Sequence, residues 1–219
     1  MKRNITILLF VLNIIPSFGQ KGECFCDKDT LMNNATVSCD TTTFSNGSKM
    51  YWQFNCDRIW LTLENIKREK YIIDESTSEL YNLTYRLGFH LIKEYKNTLL
   101  FRSGCPANGP CVHTLIDKTN GKKIKEFNQL ICINTENQSE NPHKYEYDFI
   151  VSLSTNSNYL IVYFVDSKKT IKKPFREKLT SVIPQSQFEK MTLNNNILTI
   201  YYEVDNCDKS KTITIDLKK

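Results

Sequence analysis

Apolar residues recur at every second position along several short stretches of this chain, and that period limits the fold more than any other feature. In SKMYWQFN, Met50, Trp52 and Phe54 alternate with Tyr51 and Gln53; in RIWLTLEN, Ile59, Leu61 and Leu63 alternate with Trp60 and Thr62. Successive side chains of a strand point to opposite faces, so this spacing predicts strands with one buried face. The two stretches read as a pair joined near Cys56 and Asp57.

The pattern continues to the C-terminus. CVHTLID and KKIKEF flank KTNG, where Asn120 and Gly121 supply the positive φ angles of a two-residue hairpin. DFIVSLS, NYLIVYFVD and KKTIKKPF follow, and the middle segment is apolar on both faces, which places it centrally in its sheet. ILTIYYEV and SKTITIDL form a last pair, with Ile213, Ile215 and Leu217 on one face. The expected fold is mainly β, with antiparallel meander hairpins assembled as a sandwich, a barrel-like sheet or a small propeller.

Four units of similar make-up, residues 49–74, 89–127, 147–175 and 188–217, are compatible with a small propeller, but no blade signature repeats, the spacing drifts and a helix interrupts the first gap, so a single sandwich or barrel-like sheet system with one helix fits at least as well. One segment departs from the pattern. Leu80, Leu83, Leu87 and Leu91 fall at near-helical intervals, Ser76 and Glu79 stand in capping-box register and Gly88 offers a stop, so the spacing predicts a helix over 77–87. A second, shorter helical turn is expected within PFREKLTSVIPQSQFEKM, its length limited by Pro174 and Pro184.

Residues 1–19 read as a secretory signal peptide: Lys2 and Arg3, a short apolar run, then PSFG with small residues before a cut near Gly19–Gln20. No later segment reaches transmembrane length. The expected organisation is a leader over 1–19, a cysteine-bearing segment over 20–48 and one β domain over 49–219. The expected location is secreted, periplasmic or at the cell surface.

An export route changes how the cysteines are read. All eight follow the leader: Cys24, Cys26, Cys39, Cys56, Cys105, Cys111, Cys132 and Cys207. An even number in an exported chain favours disulfides. CPANGPC pairs Cys105 with Cys111, because Pro106, Asn108, Gly109 and Pro110 form a tight loop whose ends already lie close. Asn108 and Gly109 at its tip are then a natural contact for a partner. The rival readings are a thiolate served by His113, in C-x-H spacing with Cys111, and an all-thiolate zinc site among the first four cysteines. A disulfide removes the former, and the latter lacks the paired C-x-x-C spacing of structural zinc. Neither a metal nor a cofactor is expected.

Removing the leader takes away two of 29 basic residues and no acidic ones, so the formal charge falls from +5 to +3. That is too small to indicate a nucleic-acid partner. Charge is concentrated, however, in KKTIKKPFREK. Lys168, Lys169, Lys172, Lys173, Arg176 and Lys178 stand there with Glu177 as the only acid, a patch suited to an anionic glycan, a membrane surface or an acidic protein. Lysines on an edge strand also serve simply to block aggregation.

Tyr51, Trp52, Trp60, Tyr145, Tyr147, Tyr159, Tyr163, Tyr201 and Tyr202 offer a second route to binding, by stacking on a sugar or peptide. Four sequons, beginning at Asn34, Asn46, Asn82 and Asn137, are glycan acceptors if the chain meets a eukaryotic secretory pathway.

Enzymatic motifs are missing. Three histidines (His90, His113, His143) and seven glycines include no H-E-x-x-H, no G-x-S-x-G and no phosphate-binding or dinucleotide loop. The expected function is a non-enzymatic exported domain that binds a protein or glycan. The alternative is an extracellular hydrolase with a carboxylate pair assembled by the fold from acids such as Asp27, Asp29, Asp40, Asp57, Glu64 and Asp74.

Overall fold

A computed structural model describes residues 38–104, 111–131, 148–204 and 209–218. Their architecture is four antiparallel sheets in chain order, with no closed barrel. The first comprises β1 (Thr42–Thr43), β2 (Lys49–Phe54), β3 (Arg58–Glu64) and β4 (Lys70–Thr77); the second β5 (His90–Glu94), β6 (Thr98–Ser103), β7 (Val112–Asp117) and β8 (Lys123–Phe127). The third holds β9 (Phe149–Leu153), β10 (Tyr159–Phe164) and β11 (Thr170–Pro174), and the fourth β12 (Phe188–Asn194), β13 (Ile197–Val204) and β14 (Lys209–Asp216). Within each sheet every strand pairs with its neighbours in sequence, so each of the four sequence units becomes one meander. The first sheet also takes in Thr42 and Thr43, which precede residue 49.

The alternation seen in sequence decides how the sheets meet. In the second sheet, Leu99, Phe101 and Ile116 pack on Met50, Leu61 and Leu63 of the first. The intervening residues, Leu100 and Leu115 with Phe127, face the other way onto Ile150, Tyr163 and Val165 of the third sheet. The third sheet repeats the device: Val151, Leu153, Leu160 and Val162 turn to Leu198, Ile200, Tyr202 and Ile215 of the fourth. Burying one such aliphatic side chain is worth about 1.5–3 kcal/mol. Central β10, apolar on both faces, therefore contributes to two interfaces at once.

Two local expectations are corrected. The segment over 77–87 is not one helix but a 3-10 stretch, Ser78–Leu83, followed by a single α-turn, α1 (Thr84–Leu87). Ser76 cannot cap it, because Ser76 belongs to β4 and pairs with Ile59. Leu80, Leu83 and Leu87 are 41%, 38% and 43% exposed, so their spacing forms no buried stripe. A second 3-10 turn covers Pro184–Gln187, with proline at its start.

The other correction concerns the hairpins. Of the Asn120–Gly121 pair only Gly121 takes a positive φ, +65°, and the turn is longer than two residues, closing from the Asp117 amide to the Lys122 carbonyl at 3.0 Å. Two consecutive positive φ angles occur instead at Asn195 and Asn196, between the paired residues Asn194 and Ile197. Lys118 explains the longer turn: its ammonium is fully buried and bonds the Glu94 carboxylate at 2.5 Å. Glu94 also accepts from the Ser45 amide (2.9 Å) and hydroxyl (2.6 Å), tying the first two sheets together.

Candidate functional site

The basic stretch lies on the outer edge of the third sheet. β10 pairs with β9 on one side and β11 on the other, which leaves β11 at the end of the sheet. Register sets Ile171 against Val162, and Ile171 packs on the core below. Lys172 pairs with Ile161 and Lys173 with Leu160, and both lysines are exposed. Pro174, which has no amide to donate, is tolerated at this end because β11 is an edge strand.

Phe175 then anchors the chain. It is buried between Phe188 (ring centroids 5.7 Å) and Tyr202 (5.2 Å), so Arg176 and Lys178 on either side of Glu177 return to the surface. Lys168, with φ +57°, and Lys169 are exposed in the preceding turn. All six predicted cations thus stand on one continuous, exposed run. Among the described residues none of them has a carboxylate partner, and Glu177 is turned away to Lys211 of β14 at 3.0 Å.

Lys125 of β8 adds to this charge across the seam between the second and third sheets. Its ammonium lies 4.3 Å from the centroid of Tyr163 and 5.8 Å from that of Phe127. Burial, and then the nearby charge of Lys172, pull its pKa below the usual lysine range. Such crowding of like charge favours an anion bound alongside.

The other sequence candidates fall elsewhere. Asn108 and Gly109, and Cys24, Cys26, Cys105, Cys132 and Cys207, lie outside the described residues, as do Asp27, Asp29, Tyr145 and Tyr147. Cys39, Cys56 and Cys111 are disulfide-bonded. Among the described residues no group of three or more His, Cys, Asp or Glu side chains forms a metal site.

The aromatic set does not form one platform. Tyr163 and Tyr202 belong to the core, and Trp52 packs against it. Tyr51 and Trp60 lie on the outer face of the first sheet, under Lys70 (5.9 Å) and Arg58 (5.0 Å). Tyr201 lies under Lys190 on the outer face of the fourth.

The acids are equally dispersed. Glu64 alternates with Leu63 and so shares the outer face with Tyr51, whose hydroxyl donates to it at 3.3 Å. Asp74 pairs with Leu61 on the opposite, inward face and accepts from the Phe89 amide at 2.9 Å; burial raises its pKa. One carboxyl pair escaped the sequence: Glu189, in the bulge of β12, has its pKa raised by a hydrogen bond shared with Glu203 of β13. Residues fourteen apart gave no local signal of that meeting.

His113 is not beside a free thiol but in the middle of sheet pairing, opposite Arg102 and Phe127. It is 6% exposed, and its pKa is lowered to about 4 by burial first and the Arg102 charge second, with the Cys111 backbone opposing.

No family model and no curated protein matches the chain. Among solved structures, it is similar to an uncharacterized protein from Listeria monocytogenes EGD-e, at 10% identity and a TM-score of 0.29. That similarity covers 82% of this chain and 64% of the Listeria chain, so under two-thirds of the latter is spanned.

Proposed function

We propose that this protein is an exported, disulfide-stabilised β module that acts by binding an anionic protein or glycan outside the cytoplasm, with the β11 edge as its contact. The observation that carries this reading is the run of six exposed cations, Lys168 to Lys178, without a carboxylate partner among the described residues, while the one acid inside the run, Glu177, pairs with Lys211. Edge lysines placed only to prevent aggregation gain nothing from such isolation from counter-charges, whereas a polyanion-binding edge does.

The export part rests on the leader over residues 1–19 and on eight cysteines placed after it, Cys105–Cys111 being the staple. Among the described residues no helix is long and apolar enough to cross a membrane. Intact mass of the secreted protein, with and without reductant, checks both: a start at Gln20 and a mass gain on reduction are expected. An uncleaved chain with free thiols refutes export and stapling.

Binding is tested by retention on a sulfated polysaccharide resin. Replacing Lys168, Lys169, Lys172 and Lys173 together by glutamine should weaken binding roughly thirty-fold at low salt, taking about 0.5 kcal/mol for each exposed contact. Replacing Lys122 and Lys123 should change it little. Equal elution of wild type and the fourfold variant refutes the β11 edge as the contact.

A further inference from the structure

The second sheet carries a row of nitrogen-bearing side chains that the β11 reading does not use. His90 of β5 pairs with Arg102 of β6, Arg102 with His113 of β7, and His113 with Phe127 of β8. Directly opposed residues share a face, so the four form one line across the sheet. Arg102 follows Phe101, which packs on the first sheet, and therefore lies on the other face with Leu100 and Leu115, at the margin of the second apolar cluster.

Arg102 and His113 each hold a buried polar atom that is unmet among the described residues. His113 is more than nine-tenths buried and its Nδ1 has no hydrogen-bond partner there; nor has the Nε of partly buried Arg102. Among the described residues no carboxylate lies within ion-pair distance of the guanidinium, although Glu64, Glu75, Glu94, Glu126 and Glu177 all pair with other cations. Asp74 stands near the His90 end of the row, with one oxygen committed to the Phe89 amide. Buried donors and acceptors in native proteins are almost always paired, and a guanidinium without a counter-charge is rarer still.

We infer that Arg102 and His113 form a recognition site for a single carboxylate group of a ligand, flanked by His90. A guanidinium presents a planar fork that matches the two oxygens of a carboxylate. The neutral His113 ring has one N–H, held by the Cys111 backbone, so it walls the site beside the fork rather than donating to the anion. One cation beside a neutral ring balances a monoanion. A dianion would leave a second charge facing the Asp74 end of the row, which argues for carboxylate over sulfate or phosphate. The site lies on a different sheet from the β11 edge and does not rest on that reading.

The test is a titration of the isotope-labelled full-length protein with sodium acetate at constant ionic strength, following the Arg102 Nε–H and His113 ring signals by NMR. A saturable shift of both is expected, with a dissociation constant in the millimolar range for so small a ligand. Arg102→Gln should abolish it. Arg102→Lys, which keeps the charge but loses the fork, should weaken it at least tenfold, with an unchanged amide spectrum reporting an intact fold. Lys172→Gln should leave it unaltered. Sodium sulfate run in parallel should bind at least several-fold more weakly than acetate. Absence of saturation, or equal saturation in Arg102→Lys, overturns the site; sulfate binding as tightly as acetate overturns the assignment to carboxylate.

Discussion

β8 and β11 are closely matched strands with opposite electrostatic surroundings. Each is the outer edge of its meander, and each follows a turn closed from residue i to i+5, Asp117 to Lys122 and Phe164 to Lys169, with a positive φ at Gly121 or Lys168. Each contains an Ile-Lys step and leads to a buried phenylalanine, Phe127 or Phe175. Around β8 two lysines are answered, Lys123 by Glu126 at 2.6 Å and Lys118, buried in the preceding turn, by Glu94, while Lys125 faces the β11 charge instead. Around β11 none of the six cations has a carboxylate partner among the described residues. Lysine content is therefore no guide to a binding surface, and the placement of the acids distinguishes the two edges.

The contrast breaks most severely at Glu94. Its pKa, which burial would raise, is held below the usual carboxylate range by hydrogen bonds from Lys118 and Ser45. Glu94→Ala leaves a fully buried ammonium facing the Lys96 carbonyl and the Phe44 ring with no counter-charge, and should cost about 3 kcal/mol in urea unfolding. Lys168→Ala, in the matching turn, should stay within about 0.5 kcal/mol of wild type.

The next effect depends on pH. His113, opposite Phe127, titrates near 4 in the folded chain against 6.5 when unperturbed, so between those values the unfolded chain binds more protons. Stability should therefore fall as pH falls, by about 2 kcal/mol between pH 7 and pH 5. Thermal unfolding of His113→Phe should lose this dependence, because the titrating ring is gone. An identical pH profile in wild type and variant would mean that another group carries it.

The smallest effects sharpen the comparison of the two turns. A Cβ on Gly121 would lie 2.6 Å from the Cβ of Tyr71, at a φ of +65°. Gly121→Ala should accordingly cost about 1–2 kcal/mol, read as a lowered midpoint in denaturant. Lys168 already bears a side chain at φ +57°, so Lys168→Gly should be neutral or gain about 0.5 kcal/mol.

Sequence alternation was enough to find the strands and to place NYLIVYF in the middle of its sheet, because burial on two faces demands apolar residues at every position. It failed where a local signal competed with a distant one. Asn120 and Gly121 have the composition of a two-residue turn, but Lys118 reaches Glu94 and lengthens the loop; Asn195 and Asn196, without a glycine, form the shorter one. Leucines at helical spacing over 80–87 met no opposing surface and stayed exposed. The basic run was visible in sequence, but its isolation was not, since Glu177 pairs with a lysine 34 residues away. The Arg102–His113 row depends on strand register across a hairpin, which no local motif encodes.

The serial arrangement of meanders also bears on how the chain acquires its structure. No described strand needs a partner from a later sheet, so each meander can close its hydrogen bonds as soon as its own residues have left the ribosome. The inward apolar face of that meander then waits only for the next one. Folding can proceed like a zip drawn from the N-terminal end, with an exposed apolar surface never larger than one sheet at the growing tip.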